Sequence, residues 1–250
     1  MFKKILYLSV VLTTLSYGFI NVEPSVIGEK VGLDGEVSIA SKYNTGNSDT
    51  RSVGTSVKGQ YSEKEWLAYL VTAYTYGESN GNEDTNDGIF HLRYIHSIAN
   101  TAYDYELFFQ TEFNKFQDIK TRDLAGANIR RKLELSFDKF YVGLGLFYSY
   151  MEPDTVTPVD PIYKRTKINS YISFLKKINE NFSITYLGYY QPNVEDFSDF
   201  TVSETLQLNT LLTDALVLSF DILHTYNATP YHEIEKNDMR STINLKYKLK

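Results

Sequence analysis

The feature that most constrains this chain is a period-two alternation of apolar and polar residues that returns about a dozen times. In VGLDGEVSIASKYNTGNSDTRSVGTSVKGQY (Val31 to Tyr61), Leu33, Val37, Ile39 and Tyr43 share one flank, and Asp34, Glu36, Ser38 and Lys42 the other. Successive side chains of a strand point to opposite faces, so this run is a two-faced antiparallel strand, and NTGNSD is the turn that reverses it. Further runs occupy Trp66–Tyr76, Gly88–Ser97, Ala102–Asn114, Arg122–Leu133, Phe140–Tyr150, Arg165–Leu175, Phe182–Gln191, Phe200–Leu211, Leu216–Tyr226 and Met239–Leu249.

The medium on the apolar flank decides the fold. Alternation alone fits either a soluble sandwich or a lipid-embedded barrel. Most of these runs are about the length a tilted membrane strand needs and about twice that of an ordinary globular strand. Their number is even, as in closed bacterial membrane barrels. The connections alternate too. SEKE, IANT, SFDK, INEN and LTDA are short, whereas NTGNSDT, GESNGNEDTND, FQDIKT, MEPDTVTPVDPIY, PNVEDFSD and NATPYHEIEKND are mostly longer. Short turns at one end and longer loops at the other match the periplasmic and extracellular ends of an outer-membrane barrel. The expected fold is therefore all-β, a single closed antiparallel transmembrane barrel of about twelve strands over residues 31–250.

The faces are consistent along the chain. Tyr103, Tyr105, Leu107, Phe109 and Phe113 oppose Asp104, Glu106, Gln110, Glu112 and Asn114, and Ile243, Leu245, Tyr247 and Leu249 oppose Arg240, Asn244, Lys246 and Lys248. One residue resists: Glu204 falls among Val202, Leu206 and Leu208, where lipid would touch a carboxylate. A bulge turning it inward, or a position at the rim, is the expected remedy.

The first 18 residues have the form of a cleaved export signal: Lys3 and Lys4, an apolar stretch from Ile5 to Leu15, then Ser16-Tyr17-Gly18. Residues 19–30 would form a periplasmic N-terminal segment, and the destination would be the outer membrane of a Gram-negative bacterium. Without that signal the chain carries 23 basic against 31 acidic residues, a net charge of -8, which argues against nucleic acid. The chain contains no cysteine, so disulfides and thiolate metal sites are excluded. Its 21 Tyr and 15 Phe suit a surface that is apolar on one side and wet on the other.

GEVSIASKYNTGNSDTRSVGTSVKGQY, LAGANIRRKL and YYQPNVEDFSDFTVSETLQL resemble the YdiY-like "salt-induced outer membrane protein" family, a domain-of-unknown-function family of exported proteins. The likeness spans nearly the whole mature chain. It implies an outer-membrane barrel linked to salt or osmotic conditions, and supplies no catalytic residues.

No enzyme is expected. His91, His96, His224 and His232 stand in no recognisable relation to a Ser or Asp. GNSD (Gly46–Asp49) lacks the dense carboxylates of a calcium loop and reads as an Asx-type turn. No catalytic, cofactor or metal site is assigned. The lumen is more informative. Pairing strands through their turns sets Arg93, Glu106 and Arg130 near one level, with Glu112 and Arg122 nearer the outer mouth. Arg165, Lys167 and Arg240 add inward charge. Such residues form either a cross-strand ladder that stiffens the barrel or a constriction that selects ions. Glu83, Asp84, Asp87, Asp154, Asp196 and Asp199 make an acidic outer mouth able to concentrate cations.

The function expected from sequence is a narrow passive channel for small polar or cationic solutes. Its partners would be outer-membrane lipid and lipopolysaccharide, and the barrel-assembly machinery during biogenesis. The alternatives are a non-conducting structural barrel and a barrel hydrolase. The hydrolase would need a Ser or carboxylate within reach of His91, His96 or His232.

Overall fold

The computed structural model describes residues 24–44 and 50–249, so the signal-like segment and the GNSD turn lie outside the described residues. Its strands are β1 (Gly32–Asn44), β2 (Thr50–Ser62), β3 (Trp66–Ser79), β4 (Asn82–Ser97), β5 (Tyr103–Asn114) and β6 (Ile119–Lys132). They continue as β7 (Lys139–Glu152), β8 (Tyr163–Lys177), β9 (Phe182–Pro192), β10 (Phe200–Leu211), β11 (Leu216–Asn227) and β12 (Asn237–Leu249). Each strand pairs antiparallel with its sequence neighbours, and β12 returns to β1 to close the barrel. Closure removes the open edges that long aromatic strands would otherwise offer to aggregation.

Facing follows the alternation. On β7, Leu144 and Leu146 point outward, 61% and 53% exposed, while Tyr141 and Phe147 on the opposite flank are 3% and 4% exposed. The same outward apolar surface continues through Leu107, Phe109, Ile172, Phe220 and Ile243. An apolar belt running around the whole barrel is far larger than a water-soluble monomer exposes. In hydrocarbon it is ordinary solvation. Rings gather at both strand ends. Tyr61, Trp66, Tyr94 and Tyr105 touch in series near one mouth, at centroid distances of 5.6, 5.7 and 6.2 Å. Near the other, Tyr190, Phe200 and Tyr226 do the same at 5.7 and 5.5 Å. Two aromatic girdles flanking an apolar band mark the membrane interfaces.

Three local outcomes differ from, or add to, the sequence reading. The segment from Gly77 to Asp87, expected as a long loop, is a hairpin. β3 and β4 run on to Ser79 and Asn82 and reverse through Asn80 (φ 52) and Gly81 (φ 78). Two consecutive positive φ values make a type I′ turn, for which Asn-Gly is the preferred pair. A register shift at Gly77/Glu78 absorbs the extension.

Glu204 is the second difference. Neither ladder of β10 is interrupted, so no bulge turns it inward; it faces outward, beside Gly188 and His224, two residues inside the Tyr190–Phe200–Tyr226 girdle. Tyr186 lies over Gly188, where an added Cβ would come within 2.7 Å of the Tyr186 hydroxyl. That hydroxyl donates to Glu204 Oε1 at 2.7 Å, and His224 Nδ1 lies 3.1 Å from Glu204 Oε2. The carboxylate is kept by local partners rather than by rotation inward. Deleting His224 leaves Glu204 Oε2 without its partner in lipid, whereas removing all three polar groups together is nearly neutral or stabilising. His224→Leu should therefore cost about 1–3 kcal/mol. Tyr186→Phe/Glu204→Leu/His224→Leu, which removes the whole group, should unfold in urea from liposomes at or above the wild-type midpoint.

Third, the N-terminal segment enters a mouth of the barrel. Pro24 is buried, Ile27 packs on Leu67, Tyr69, Val71 and Ile95, and Ser25 Oγ donates to Gln60 Oε1 at 3.1 Å. Glu29 reaches the opposite wall to pair with Lys139 at 2.6 Å. The segment is a strap across the periplasmic opening.

Candidate functional site

The lumen holds the chain's concentration of buried charge. At its periplasmic half the centre is Glu106, fully buried. Tyr171 Oη and Asn128 Nδ2 donate to Glu106 Oε2 at 2.8 and 3.0 Å. The Arg93 and Arg130 guanidinium groups stand 3.7 and 3.8 Å from Oε1. Arg130 also pairs with Asp104 at 2.8 Å and lies 4.3 Å over the Tyr141 ring. Arg93 donates to Tyr189 Oη at 3.2 Å, from β4 to β9, nearly a full diameter away. Gln191 and Asn169 continue the chain of donors toward Asn128, at 2.8 and 3.1 Å. The sequence-derived trio of Arg93, Glu106 and Arg130 thus meets. Asp104, Tyr171 and Tyr189 complete it.

Nearer the outer mouth, Arg122 pairs with Glu112 at 2.5 Å, and Gln110 donates to Glu112 at 2.7 Å while contacting His91 at 3.0 Å. Arg165 and Lys167 converge on Asp199, at 2.7 and 3.4 Å, and Thr229 donates to the same carboxylate at 2.6 Å. The connection after β11 then folds back over this sector. Tyr231 is buried against Ile119 and Met151, and its hydroxyl donates to the Met151 carbonyl at 3.1 Å.

The opposite sector is different. Arg240 on β12 reaches Asp87 on β4 at 3.0 Å and forms a chord that fences off the wall made of β12, β1, β2 and β3. Inward positions on that wall are small: Ser38, Ala40, Ser52, Gly54, Ser56 and Ala73. Behind the chord lies a cavity of about 330 Å³, lined by several of these with Thr75, Thr85 and Asn244. A second, also about 330 Å³, opens at the periplasmic end between Asp34, Glu36, Lys58, Asp214, Lys246 and Lys248. The linings meet: Glu36 passes to Ser38, Lys58 to Ser56 and Lys246 to Asn244, one inward step on each strand. The lumen is therefore packed from β4 to β9 and hollow along β12–β1–β2–β3.

The family described as "Protein of unknown function, DUF481" matches residues 37–249. The chain belongs to this family. No curated relative matches the sequence. Among solved structures the barrel is similar to the COG4313 outer membrane channel from Pseudomonas putida F1, with 10% identity, TM-score 0.54, and coverage of 91% of this chain and 99% of that one. It is also similar to the NanC porin, with 13% identity, TM-score 0.50, and coverage of 87% and 100%. At such identities the likeness is one of fold. The DUF481 barrel has the fold of the bacterial outer-membrane barrels.

The carboxylates expected at the outer mouth of the DUF481 barrel divide. Asp87 and Asp199 are drawn into the lumen by Arg240, Arg165 and Lys167, and Glu83 on β4 pairs with Lys115. Asp84 is half-buried on β4. Asp154 and Asp196 are exposed in outer connections. The Ser198 hydroxyl and N–H donate to Asp196 at 2.7 and 2.9 Å and hold its carboxyl below the usual range. Of the histidines named for a hydrolase, His91 meets Gln110, His96 meets the Ser97 carbonyl at 2.7 Å, and exposed His232 lies 3.9 Å from Glu233. Among the described residues no group of three His, Asp or Glu is placed to hold a metal ion.

From the LTDA turn the Glu204–His224 pair was readable only to within one residue, since Glu204 precedes it by eight residues and His224 follows it by nine, while the I′ turn was readable from SNGN. The inward tyrosines carry no comparable mark: on β3 both flanks are apolar (Leu67, Tyr69 and Val71 against Trp66, Ala68 and Leu70), and alternation cannot say which faces in.

Proposed function

We propose that this barrel is a narrow passive channel for small polar solutes in the outer membrane, with the conducting path along the β12–β1–β2–β3 wall. The observation that carries the reading is the pair of abutting cavities on that wall, one opening at the periplasmic end and the other reaching the outer half. Narrow bore and hydroxyl lining favour small hydrated solutes. The periplasmic cavity mixes Lys58, Lys246 and Lys248 with Asp34, Glu36 and Asp214, so discrimination between cations and anions is weak, and the exposed outer carboxylates bias the outer side slightly toward cations. Lipid and lipopolysaccharide surround the apolar belt, the barrel-assembly machinery inserts it, and no catalytic step is involved. A link to salt or osmotic stress fits a small, weakly selective pore.

Planar-bilayer recording tests this. The expected result is a small steady conductance with a reversal potential near zero in a salt gradient. Gly54→Trp should cut that conductance several-fold in a barrel that still folds, because the Gly54 Cβ position meets Thr75 at an ordinary 3.5 Å and the indole then fills the cavity. Gly59→Trp, outward with nothing within 4 Å, should leave it unchanged. Absence of conductance at any salt concentration rejects the channel. It would leave the second reading, a non-conducting barrel that stiffens the envelope, which the Arg93–Tyr189 crossing of the lumen favours.

A further inference from the structure

β1 and β12 close the barrel with only six registered pairs, from Gly35↔Leu249 to Ala40↔Asn244. Both strands run on past that point, β1 to Asn44 and β12 back to Asn237. Continued register would set Ser41 against Ile243 and end with Asn44 against Arg240. Those four pairs do not form. At ~3.4 Å per residue the unzipped seam is about 14 Å long. β8 also outruns β9, but there Asn193 bridges to Lys167 and the Val194 N–H donates to the Thr166 carbonyl at 2.9 Å, tying the wall together. No such tie crosses the β1–β12 seam among the described residues.

The hollow sector opens at this seam. Its lining takes inward Ser38, Ala40 and Thr242 together with outward Ser41, Ile243 and Phe220. Residues of both faces can line one cavity only where the wall between them is interrupted. Irregular backbone at membrane depth is tolerated where it lines such a cavity. The two sides of the opening differ in chemistry. Inside stand the hydroxyls of Ser38, Ser52, Ser56 and Thr75 and the Arg240 guanidinium, which gives an N–H to Asp87. At the threshold, Ile243 and Phe220 face the acyl chains.

We propose that the seam is a lateral port. A single-chain amphiphile with a small anionic or hydroxyl head enters the cavity from the outer half of the membrane, head toward Arg240 and the serines, with its chain between Ile243 and Phe220. The port goes beyond the conducting path and does not depend on it, since bilayer recording reads one and amphiphile binding the other.

The chain lacks cysteine, so engineered pairs report cleanly. Ser41→Cys/Ile243→Cys lies in the port, and Val37→Cys/Tyr247→Cys in the zipped part of the same seam is the control. In proteoliposomes the control pair should oxidise to a disulfide at least tenfold faster than the port pair. Nitroxide-labelled stearate should show an immobilised population with wild-type protein and with the unreacted port variant. Bridging the port pair with a short bis-maleimide should reduce that population several-fold, and bridging the control pair should not. Equal oxidation rates would show a seam zipped in the bilayer and overturn the port. An immobilised population that is absent, or unchanged by bridging, overturns it as well. Disulfide-linked dimers through position 41 would overturn it in favour of a second copy of the chain covering the seam.

Discussion

Glu106→Ala should be the most damaging single change in the lumen, lowering stability by about 3–5 kcal/mol in urea unfolding from liposomes. The carboxylate is fully buried and faces Arg93, Arg130, Tyr171 and Asn128 together, and its removal leaves Arg93 without its carboxylate partner. Losing one member of a buried pair costs more than the pair contributes, because the remaining charge keeps its desolvation penalty. Two companions separate this from a simple cavity effect. Glu106→Gln retains an acceptor for Tyr171 and should lose less than the alanine variant. Arg93→Met/Glu106→Leu removes opposite charges together and should recover more than half of the loss. Equal loss in the single and double variants would mean that packing, not charge, holds this layer.

Gly145→Ala should cost about 3 kcal/mol, although it adds only one methyl group to a strand. Gly145 faces inward opposite Asn128, and a Cβ there would collide with the Ala127 backbone carbonyl, which no rotamer change can relieve. Two residues earlier on the same strand, Gly143 sits beneath the Tyr171 ring, so Gly143→Ala would push that ring off its position over the Glu106 layer. Gly59→Ala is the matched control, since nothing lies within 4 Å of its Cβ position, and it should change the unfolding midpoint little. The measurement is again the urea midpoint, with heat-modifiable gel mobility reporting whether the barrel closes. Equal midpoints for the Gly145 and Gly59 variants would contradict the close approach of β6 and β7.

Most of the barrel is legible because a strand's period is two and its turns are short. Once SEKE, IANT or LTDA marks a hairpin, its cross-strand oppositions follow to within one or two residues, and so Arg93, Glu106 and Arg130 could be set near one level without coordinates. What escapes is whatever no turn fixes. The β1–β12 seam joins the two ends of the chain, so its register, and where it stops, come from closure of the whole cylinder rather than from a local sequence. Chords such as Arg93–Tyr189 and Arg240–Asp87 depend on the cross-section of the barrel. The split into packed and hollow sectors had a faint trace, the small inward residues of SIASKY and TRSVGTSV, but only the bulk on the facing wall gives it meaning. Glu204 shows the same limit: alternation placed it outward, and the partners that keep it there come from β9 and β11.

Only one flank of these strands touches acyl chains, and paired tryptophans on β7 measure which one directly. With Trp66, the chain's one tryptophan, replaced by Phe, Leu144→Trp and Phe147→Trp place the indole on opposite flanks, where the native residues are 61% and 4% exposed. In liposomes containing phospholipid brominated along its acyl chains, fluorescence should be strongly quenched at position 144 and nearly untouched at 147. Equal quenching, or the reverse order, would contradict a barrel with lipid outside and a polar lumen within.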